Sequence, residues 1–201
     1  MWAHGAGKST LFRLISGELR RPADSVRFSR AAGLGVLPQS PAFPTNATCE
    51  QFISHVAWLH GVPRAERSAA VDAALDRVGL SERKSSTIKS LSGGMVRRLG
   101  IAQAIVHNPS VLLLDEPTVG LDPVQRLAIR SVLEDLGETH IVFVSTHLVE
   151  DVRALAQRVI VMSEGSMVFD GAVETLESLA SDDMPGETAL ERSLAALMGA
   201  E

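Results

Sequence analysis

The chain has 201 residues, 45% of them hydrophobic, which favours a single globular domain with a sizeable core. Its net charge is −5 and its lysines and arginines form no run longer than a pair, so no nucleic-acid partner is expected. The single cysteine, Cys49, excludes an intrachain disulfide and a multi-cysteine metal site.

The chain opens with a glycine-rich stretch, Gly5-Ala6-Gly7-Lys8-Ser9-Thr10. The full phosphate-binding loop is glycine, any four residues, glycine, lysine, then serine or threonine, and Trp2 stands where the first glycine belongs. The remaining glycines still let backbone N–H groups close around phosphate oxygens. A helix is predicted over residues 9–15, ended by Gly17, with its amino terminus facing the phosphate.

Strand and helix patterns then alternate through the first half of the chain. A short strand is predicted at residues 33–37, followed directly by Pro38-Gln39. A capping box at Thr48 predicts a helix that ends near residue 61, and a second helix follows over residues 63–79.

The second half continues the alternation. A helix is predicted over residues 92–106, and the apolar run at 111–114 is typical of a fully buried parallel strand. Asp122-Pro123 opens the next helix as its cap and first residue. Two more apolar strands are predicted in the segments HIVFVSTH and RVIVMS, with a helix over about 148–156 between them.

This order of elements predicts an α/β fold with a mostly parallel sheet that helices cover on both faces. The tail after residue 181 is predicted to be a linker followed by one amphipathic helix. The longest apolar runs are too short to cross a bilayer.

Polar residues with chemical potential follow several of these elements. In VLLLDEP, Asp115 and Glu116 end a buried strand, where a P-loop hydrolase has its Mg²⁺-directed aspartate and water-directed glutamate. In LSGGM, Ser92 and two glycines begin a helix, which is a second anion-binding geometry. Gln39 follows one strand, GLDP follows the acidic pair, and His147 is predicted to close the strand in FVSTH.

In this order and context, the six motifs resemble the nucleotide-binding domain of ATP-binding cassette (ABC) transporters. The resemblance covers nearly the whole chain, from Gly5 to about Ala180. It implies a P-loop NTPase fold over residues 1–180, a helical subdomain at about 45–107 that carries the signature motif, and a linker with a C-terminal helix at 181–201. Met95 stands where the family usually has glutamine, as in some exporter-type members.

The resemblance implies ATP and Mg²⁺ as cofactors and a role for each motif. Glu116 would polarise the attacking water, His147 would hold the γ-phosphate, and Gln39 would sense the γ-phosphate and the metal. The implied Mg²⁺ ligands are Ser9, Gln39 and Asp115. The implied ATP-binding residues are Gly5, Ala6, Gly7, Lys8, Ser9, Thr10, Ser92, Gly93, Gly94 and Asp122.

The resemblance also implies partners. In this family the signature Ser92-Gly93-Gly94 contacts ATP on the other subunit, so a head-to-tail homodimer or heterodimer is expected, with Asp122 aligning its interface. A transmembrane permease subunit is the further partner, which would hold the chain at the inner, cytoplasmic face of the cell membrane. The implied activity is ATP hydrolysis coupled to transport, and LSGGMVRRLGIAQAI and DEPTVGLDP resemble exporter subunits.

One part of the family pattern is missing at the front. The family has strands and an adenine-stacking aromatic residue before the phosphate-binding loop, whereas here the loop opens the chain and the sequence contains no tyrosine. A chain shortened at its N-terminus, with weakened ATP binding, is therefore expected.

Two other functions stay open. One is a soluble ABC ATPase that serves no permease, and the other is a catalytically impaired fragment that acts as an interaction module. Single motifs also have purely structural readings: Asp122 as a helix cap, His147 as a hydrogen-bonded histidine. A GTPase is not expected, because the guanine-reading Asn-Lys-x-Asp stretch is absent.

Overall fold

The computed structural model describes residues 6–20, 33–181 and 183–198. The chain divides into two compact units. The terminal unit takes its residues from the ranges 1–20 and 146–201, and the central unit takes its residues from 21–145. The terminal unit is therefore discontinuous in sequence.

A parallel sheet forms the centre of the central unit. Its strands are β1, Leu34–Leu37, β2, Val111–Asp115, and β3, Ile141–Ser145, in the order β1-β2-β3. Both strand pairs are parallel, so the carboxyl ends of the strands lie at one edge of the sheet. The predicted α/β fold with a parallel sheet is confirmed.

The strands of this sheet differ in burial. The β2 side chains of Leu112, Leu113 and Leu114 are fully buried, as the continuous apolar run predicts. Along β3, however, Ile141 and Phe143 are 60% and 41% exposed. Ile141 and Phe143 are two residues apart and therefore lie on the same face of β3, as the two-residue period of a strand requires.

The helices of the central unit follow their capping signals. In α2, Cys49–Leu59, the predicted capping box forms: Gln51 N donates to Thr48 Oγ1 at 3.2 Å, and Thr48 N donates to Gln51 Oε1 at 3.0 Å. Short 3-10 turns connect α3, Arg64–Arg77, to α4, Gly93–Ile105. Both α3 and α4 pack against α2. The last helix, α5, spans Pro123–Gly137.

Glycines bring α4 very close to β1. A Cβ added at Gly35 would lie 2.7 Å from Leu112 Cδ2 and 3.0 Å from the carbonyl carbon of Ala104. A Cβ at Gly100 would lie 2.6 Å from Leu37 Cδ1. Non-bonded carbons usually lie about 3.5–4.0 Å apart, so only glycine permits this approach. The contact sets the distance between the signature helix and the sheet that carries Asp115.

The terminal unit is built from short elements around its own core. Its elements are α1, Lys8–Ser16, α6, Val149–Leu155, β4, Val159–Ser163, β5, Ser166–Gly171, α7, Val173–Glu177, and α8, Ala189–Met198. The core consists of Val159, Val161, Val173, Leu176, Leu190 and Leu194. The C-terminal helix α8 therefore contributes leucines to this core rather than lying free.

The strand predicted in RVIVMS is confirmed as β4, but its partner was not predicted. It pairs antiparallel with β5 in a hairpin whose turn residues, Glu164 and Gly165, have φ of 49° and 78°. Two positive φ values in a two-residue turn match the twist of a hairpin. The Glu-Gly pair directly after the apolar run of β4 was the signal that could have revealed a hairpin, and with it β5. Within the described ranges, no helix combines the length and apolar character needed to cross a membrane.

Candidate functional site

The described part of the glycine-rich loop lies in the terminal unit, directly before α1. Gly7 is the N-cap of α1 and has a φ of 96°, a left-handed conformation that suits glycine. Lys8 begins the helix, and Ser9 and Thr10 are exposed in its first turn. Gly5 and Trp2 lie outside the described residues. A loop that enters a helix in this way directs backbone N–H groups toward an anion.

The turn of the β4–β5 hairpin packs against this loop. Gly165 N donates to the carbonyl oxygen of Ala6 at 3.2 Å, and Ala6 is buried. A Cβ at Gly7 would lie 3.3 Å from Gly165 Cα and 3.5 Å from Met162 Cε. A side chain at position 7 would therefore both strain the backbone and press the loop away from the hairpin.

His147 also belongs to the terminal unit. The strand β3 ends at Ser145, so His147 lies two residues beyond the strand rather than closing it, which corrects the prediction. The hydroxyl of Thr146 accepts a hydrogen bond from Leu148 N at 3.0 Å, and such a local turn ends the extended conformation. His147 is half-buried in this turn, just before α6.

The acidic pair lies where it was predicted, at the carboxyl end of β2. Asp115 and Glu116 are each only 7% exposed. The Ser145 hydroxyl donates to Asp115 Oδ1, and Glu116 N donates to the carbonyl oxygen of Ser145 at 3.0 Å. Glu116 has a φ of 51°, a conformation that costs a non-glycine residue about 1–3 kcal/mol. Surrounding contacts must hold the glutamate in this position.

A buried arginine that the sequence prediction missed supplies several of these contacts. Arg97 Nε donates to the carbonyl oxygen of Pro117 at 2.9 Å, and Arg97 Nη2 donates to the carbonyl oxygens of Asp115, at 3.2 Å, and Glu116. Arg97 Nη1 donates to the carbonyl oxygen of Gln39 at 2.9 Å. Burial lowers the pKa of Arg97, and the carboxylates of Asp115 and Glu116 act in the opposite direction. The signal available in the sequence was that Arg97 lies among the buried positions of α4, the helix that begins with the signature.

The signature residues begin α4 in the central unit. Ser92 is the N-cap, and its hydroxyl accepts a hydrogen bond from Met95 N at 3.4 Å. Ser92 and Gly93 are exposed, and a Cβ at Gly93 would meet nothing within 4 Å. This helix start is therefore accessible to a ligand.

Asp122 caps α5, with its Oδ1 accepting from Gln125 N at 2.8 Å. The first turn of α5 lies against the signature, because a Cβ at Gly94 would come within 2.7 Å of Gln125 Cδ. Before the cap, Gly120 has a φ of 77°, which fits the turn glycine of GLDP. The structural reading of Asp122 as a helix cap is confirmed.

Gln39 follows β1 by two residues, and its side chain is exposed while its carbonyl oxygen is held by Arg97. An open depression in the central unit lies beside three of the motifs. It is lined by residues of the segment after β1, of the start of α4 and of the loop before α5, among them Gln39, Gly93, Arg97 and Gly120.

The site residues thus fall into two sets. The central unit holds Gln39, the signature, the acidic pair and Asp122, and the terminal unit holds the described loop residues 6–10 and His147. In the part of the chain that the structure describes, no group of three or more His, Cys, Asp or Glu residues could hold a metal. Mg²⁺ bound together with phosphates needs only one or two protein carboxylates, which the buried Asp115 can supply.

A family model described as ABC transporter matches residues 3–119. The uncharacterized ABC transporter ATP-binding protein YxlF of Bacillus subtilis strain 168 is 32% identical over 179 residues, which are 87% of this chain and 61% of that protein. Methionine import ATP-binding protein MetN 2 of Burkholderia mallei is 37% identical over 187 residues, 84% of this chain and 47% of the relative.

A solved structure of an ABC transporter in an inward-facing conformation matches the fold with a TM-score of 0.76 at 27% identity, covering 90% of this chain and 72% of that one. The chain spans less than two thirds of the length of the two relatives. The similarity therefore extends over most of this chain, while the relatives contain further sequence.

Proposed function

The chain belongs to the ABC transporter family, and from this premise we propose that it is the ATP-binding and ATP-hydrolysing subunit that energises a separate membrane permease. The observation that supports this most is the buried Asp115-Glu116 pair at the end of β2, which Ser145 and Arg97 hold in place. Burying two adjacent carboxylates is costly, and a bound metal ion would offset part of that cost. A metal-holding carboxylate beside a water-activating one is also what ATP hydrolysis requires.

ATP would be bound through its phosphates at the start of α1. The residues that support this assignment are Gly7, whose left-handed conformation turns the loop into the helix, and Lys8, whose ammonium would contact the β- and γ-phosphates. Gly5, Ala6, Ser9 and Thr10 complete the proposed loop.

Ser9, Gln39 and Asp115 would hold Mg²⁺, which when bound supplies positive charge that offsets the negative charge of the phosphates. The exposed Ser9 hydroxyl and the Asp115 carboxylate are hard oxygen donors of the kind that Mg²⁺ prefers. Ser145 would keep Asp115 in one orientation through its hydrogen bond to Oδ1.

Glu116 would accept a proton from the attacking water, and His147 would hold the γ-phosphate. Burial of Glu116 supports the first role, because a carboxylate shielded from solvent interacts more strongly with the single water it orients. Gln39 would report the presence of the γ-phosphate and metal.

The signature would bind the ATP of a second subunit. Ser92 and Gly93 support this assignment because they lie exposed at the start of α4, which is open to an anion, and Gly94 follows them in the same turn. A head-to-tail dimer, homomeric or heteromeric, would then enclose two ATP molecules, with Asp122 aligning the loop before α5 across the interface.

We further propose that the permease partner is an exporter and that the chain works at the cytoplasmic face of the membrane. The support is the resemblance of the segment LSGGMVRRLGIAQAI to exporter subunits. In proteoliposomes that carry the permease with this chain facing outward, export moves substrate into the lumen. Loss of substrate from the lumen on addition of ATP would show import instead.

The Glu116→Gln variant tests the enzymatic part of the proposal. Because glutamine keeps the shape but cannot take the proton, phosphate release from ATP with Mg²⁺ should fall about 10²–10⁴-fold, whereas ATP binding persists. Glu134→Gln, the same change at an exposed residue of α5, is the matched control and should keep the wild-type rate. ATP binding without any Glu116-dependent hydrolysis would favour an interaction module instead.

A further inference from the structure

Arg97 has a bonding pattern that none of the roles above explains. Arg97 is 9% exposed, and its guanidinium contacts four main-chain carbonyls: those of Gln39, Asp115, Glu116 and Pro117. Arginine carries five N–H donors in a rigid plane, so one side chain can serve two chain segments at once.

These carbonyls lie at or just after the ends of β1 and β2, where the sheet no longer supplies hydrogen-bond donors. A buried carbonyl without a donor is costly, and Arg97 provides the donor from outside the sheet. It thereby fixes the peptides around Glu116, whose φ of 51° needs such support.

Arg97 lies on the second turn of α4, whose first residues follow the Ser92 cap. A helix moves as a rigid element over so short a distance, so a shift of its start would carry the guanidinium with it. We propose that Arg97 is a positioning residue for ATP hydrolysis, which links the signature end of α4 to the main chain of Gln39 and Glu116. This inference rests on the proposed function, since it assigns Arg97 to the same site.

The neighbouring residue provides a matched comparison. Arg98 lies on the same helix and also bonds to main-chain carbonyls, those of Val78 at 3.0 Å and Gly79 at 3.2 Å. Those carbonyls end α3 and lie outside the proposed site. If arginines on α4 only fasten elements together, the two positions should respond alike to the same substitution.

The test compares Arg97→Lys with Arg98→Lys in the full chain. Lysine keeps the charge, but its single nitrogen cannot reach carbonyls on both segments, so Glu116 should lose its alignment. For Arg97→Lys the kcat of ATP hydrolysis should fall about 10²-fold, with KM for ATP changed by less than about threefold. Arg98→Lys should retain the wild-type kcat.

Hydrogen exchange supplies a second readout that does not depend on activity. The amides of Glu116 and Val119 bond to the carbonyls of Ser145 and Glu116, and both should exchange at least about tenfold faster in Arg97→Lys. In Arg98→Lys their exchange should stay at the wild-type rate. Wild-type exchange at these amides in a folded Arg97→Lys chain would overturn the positioning role.

Two kinetic outcomes would also overturn it: an equal loss of kcat in both variants, or a loss in Arg97→Lys that appears in KM alone. If the wild-type chain hydrolyses no ATP, the proposed function fails instead, and the exchange measurement still decides the role of Arg97. Failure of the inference and failure of the proposed function are thereby distinguished.

Discussion

Gly35→Ala should destabilise the central unit strongly, because it inserts a methyl group between β1 and α4. The new Cβ would lie 2.7 Å from Leu112 Cδ2 and 3.0 Å from the carbonyl carbon of Ala104. The leucine methyl can rotate away, but the Ala104 carbonyl belongs to the helix backbone. The new Cβ would overlap the Ala104 carbonyl oxygen itself, so a normal contact requires a shift of about 1 Å or more between α4 and β1.

Overpacking of this kind costs about 1–3 kcal/mol, and the backbone obstacle places Gly35→Ala at the upper end. For a chain of this size, about 3 kcal/mol corresponds to a loss of about 6–12 °C in Tm. Urea denaturation followed by circular dichroism, together with calorimetry, would measure both quantities.

Gly137→Ala is the matched control. Gly137 is the last residue of α5, and a Cβ there would meet nothing within 4 Å. Alanine in place of this glycine should leave stability unchanged or raise it by up to about 1 kcal/mol. If Gly35→Ala proved as stable as Gly137→Ala, the close packing of α4 on β1 would be wrong.

Two further substitutions test other parts of the structure. Ser145→Ala removes the hydroxyl that bonds to the buried Asp115 carboxylate, so the free energy of unfolding should fall by about 1.5–3 kcal/mol. The Mg²⁺ concentration for half-maximal hydrolysis should rise. Unchanged urea and Mg²⁺ titrations would contradict both expectations. His107 has its pKa lowered by burial and by the stacked His60 ring, against a hydrogen bond to the Leu34 carbonyl. The unfolded chain therefore binds the proton more readily, and stability should fall as pH drops below about 6.5, the ordinary histidine value, and through the folded pKa. In His107→Gln, urea midpoints at acid and neutral pH should differ less than in the wild type, and an equal difference would refute the assignment.

Much of the fold could be predicted from the sequence, because its signals are local. The capping residues Thr48, Ser92 and Asp122 each begin a helix, and the apolar run before Asp115 forms a buried strand. Each signal depends on hydrogen bonds or side-chain periodicity within a few residues, which the sequence displays directly.

The exposed row along β3 could not be predicted, because HIVFVSTH is apolar at every central position. Such a run is typical of a strand buried on both sides, and only the sheet order places β3 at the end of the described strands. The hairpin partner β5 was missed because Ser166–Gly171 mixes polar and apolar residues, with its pairing set by the turn at Glu164 and Gly165.

At the candidate site, the motifs predicted which residues take part, but not the residues that support them. Asp115 and Glu116 were recognised from their place after a strand, whereas Arg97 and Ser145 were not. Their contacts join residues far apart in sequence, such as Arg97 to Gln39 and Ser145 to Asp115. Contacts of that range depend on the packing of whole elements, which no local pattern reports.

We propose, as the central claim, that ATP is shared between the loop of one subunit and the signature of another. The most direct test measures the mass of the Glu116→Gln chain in the presence of ATP and Mg²⁺. Sedimentation should show a species of twice the 21.4 kDa chain mass with two bound ATP molecules. Adding Ser92→Arg should return it to a monomer that still binds ATP, whereas Lys8→Ala should abolish binding. A chain that stays monomeric with ATP would contradict the homodimer, and a dimer that persists with Ser92→Arg would contradict the role given to the signature.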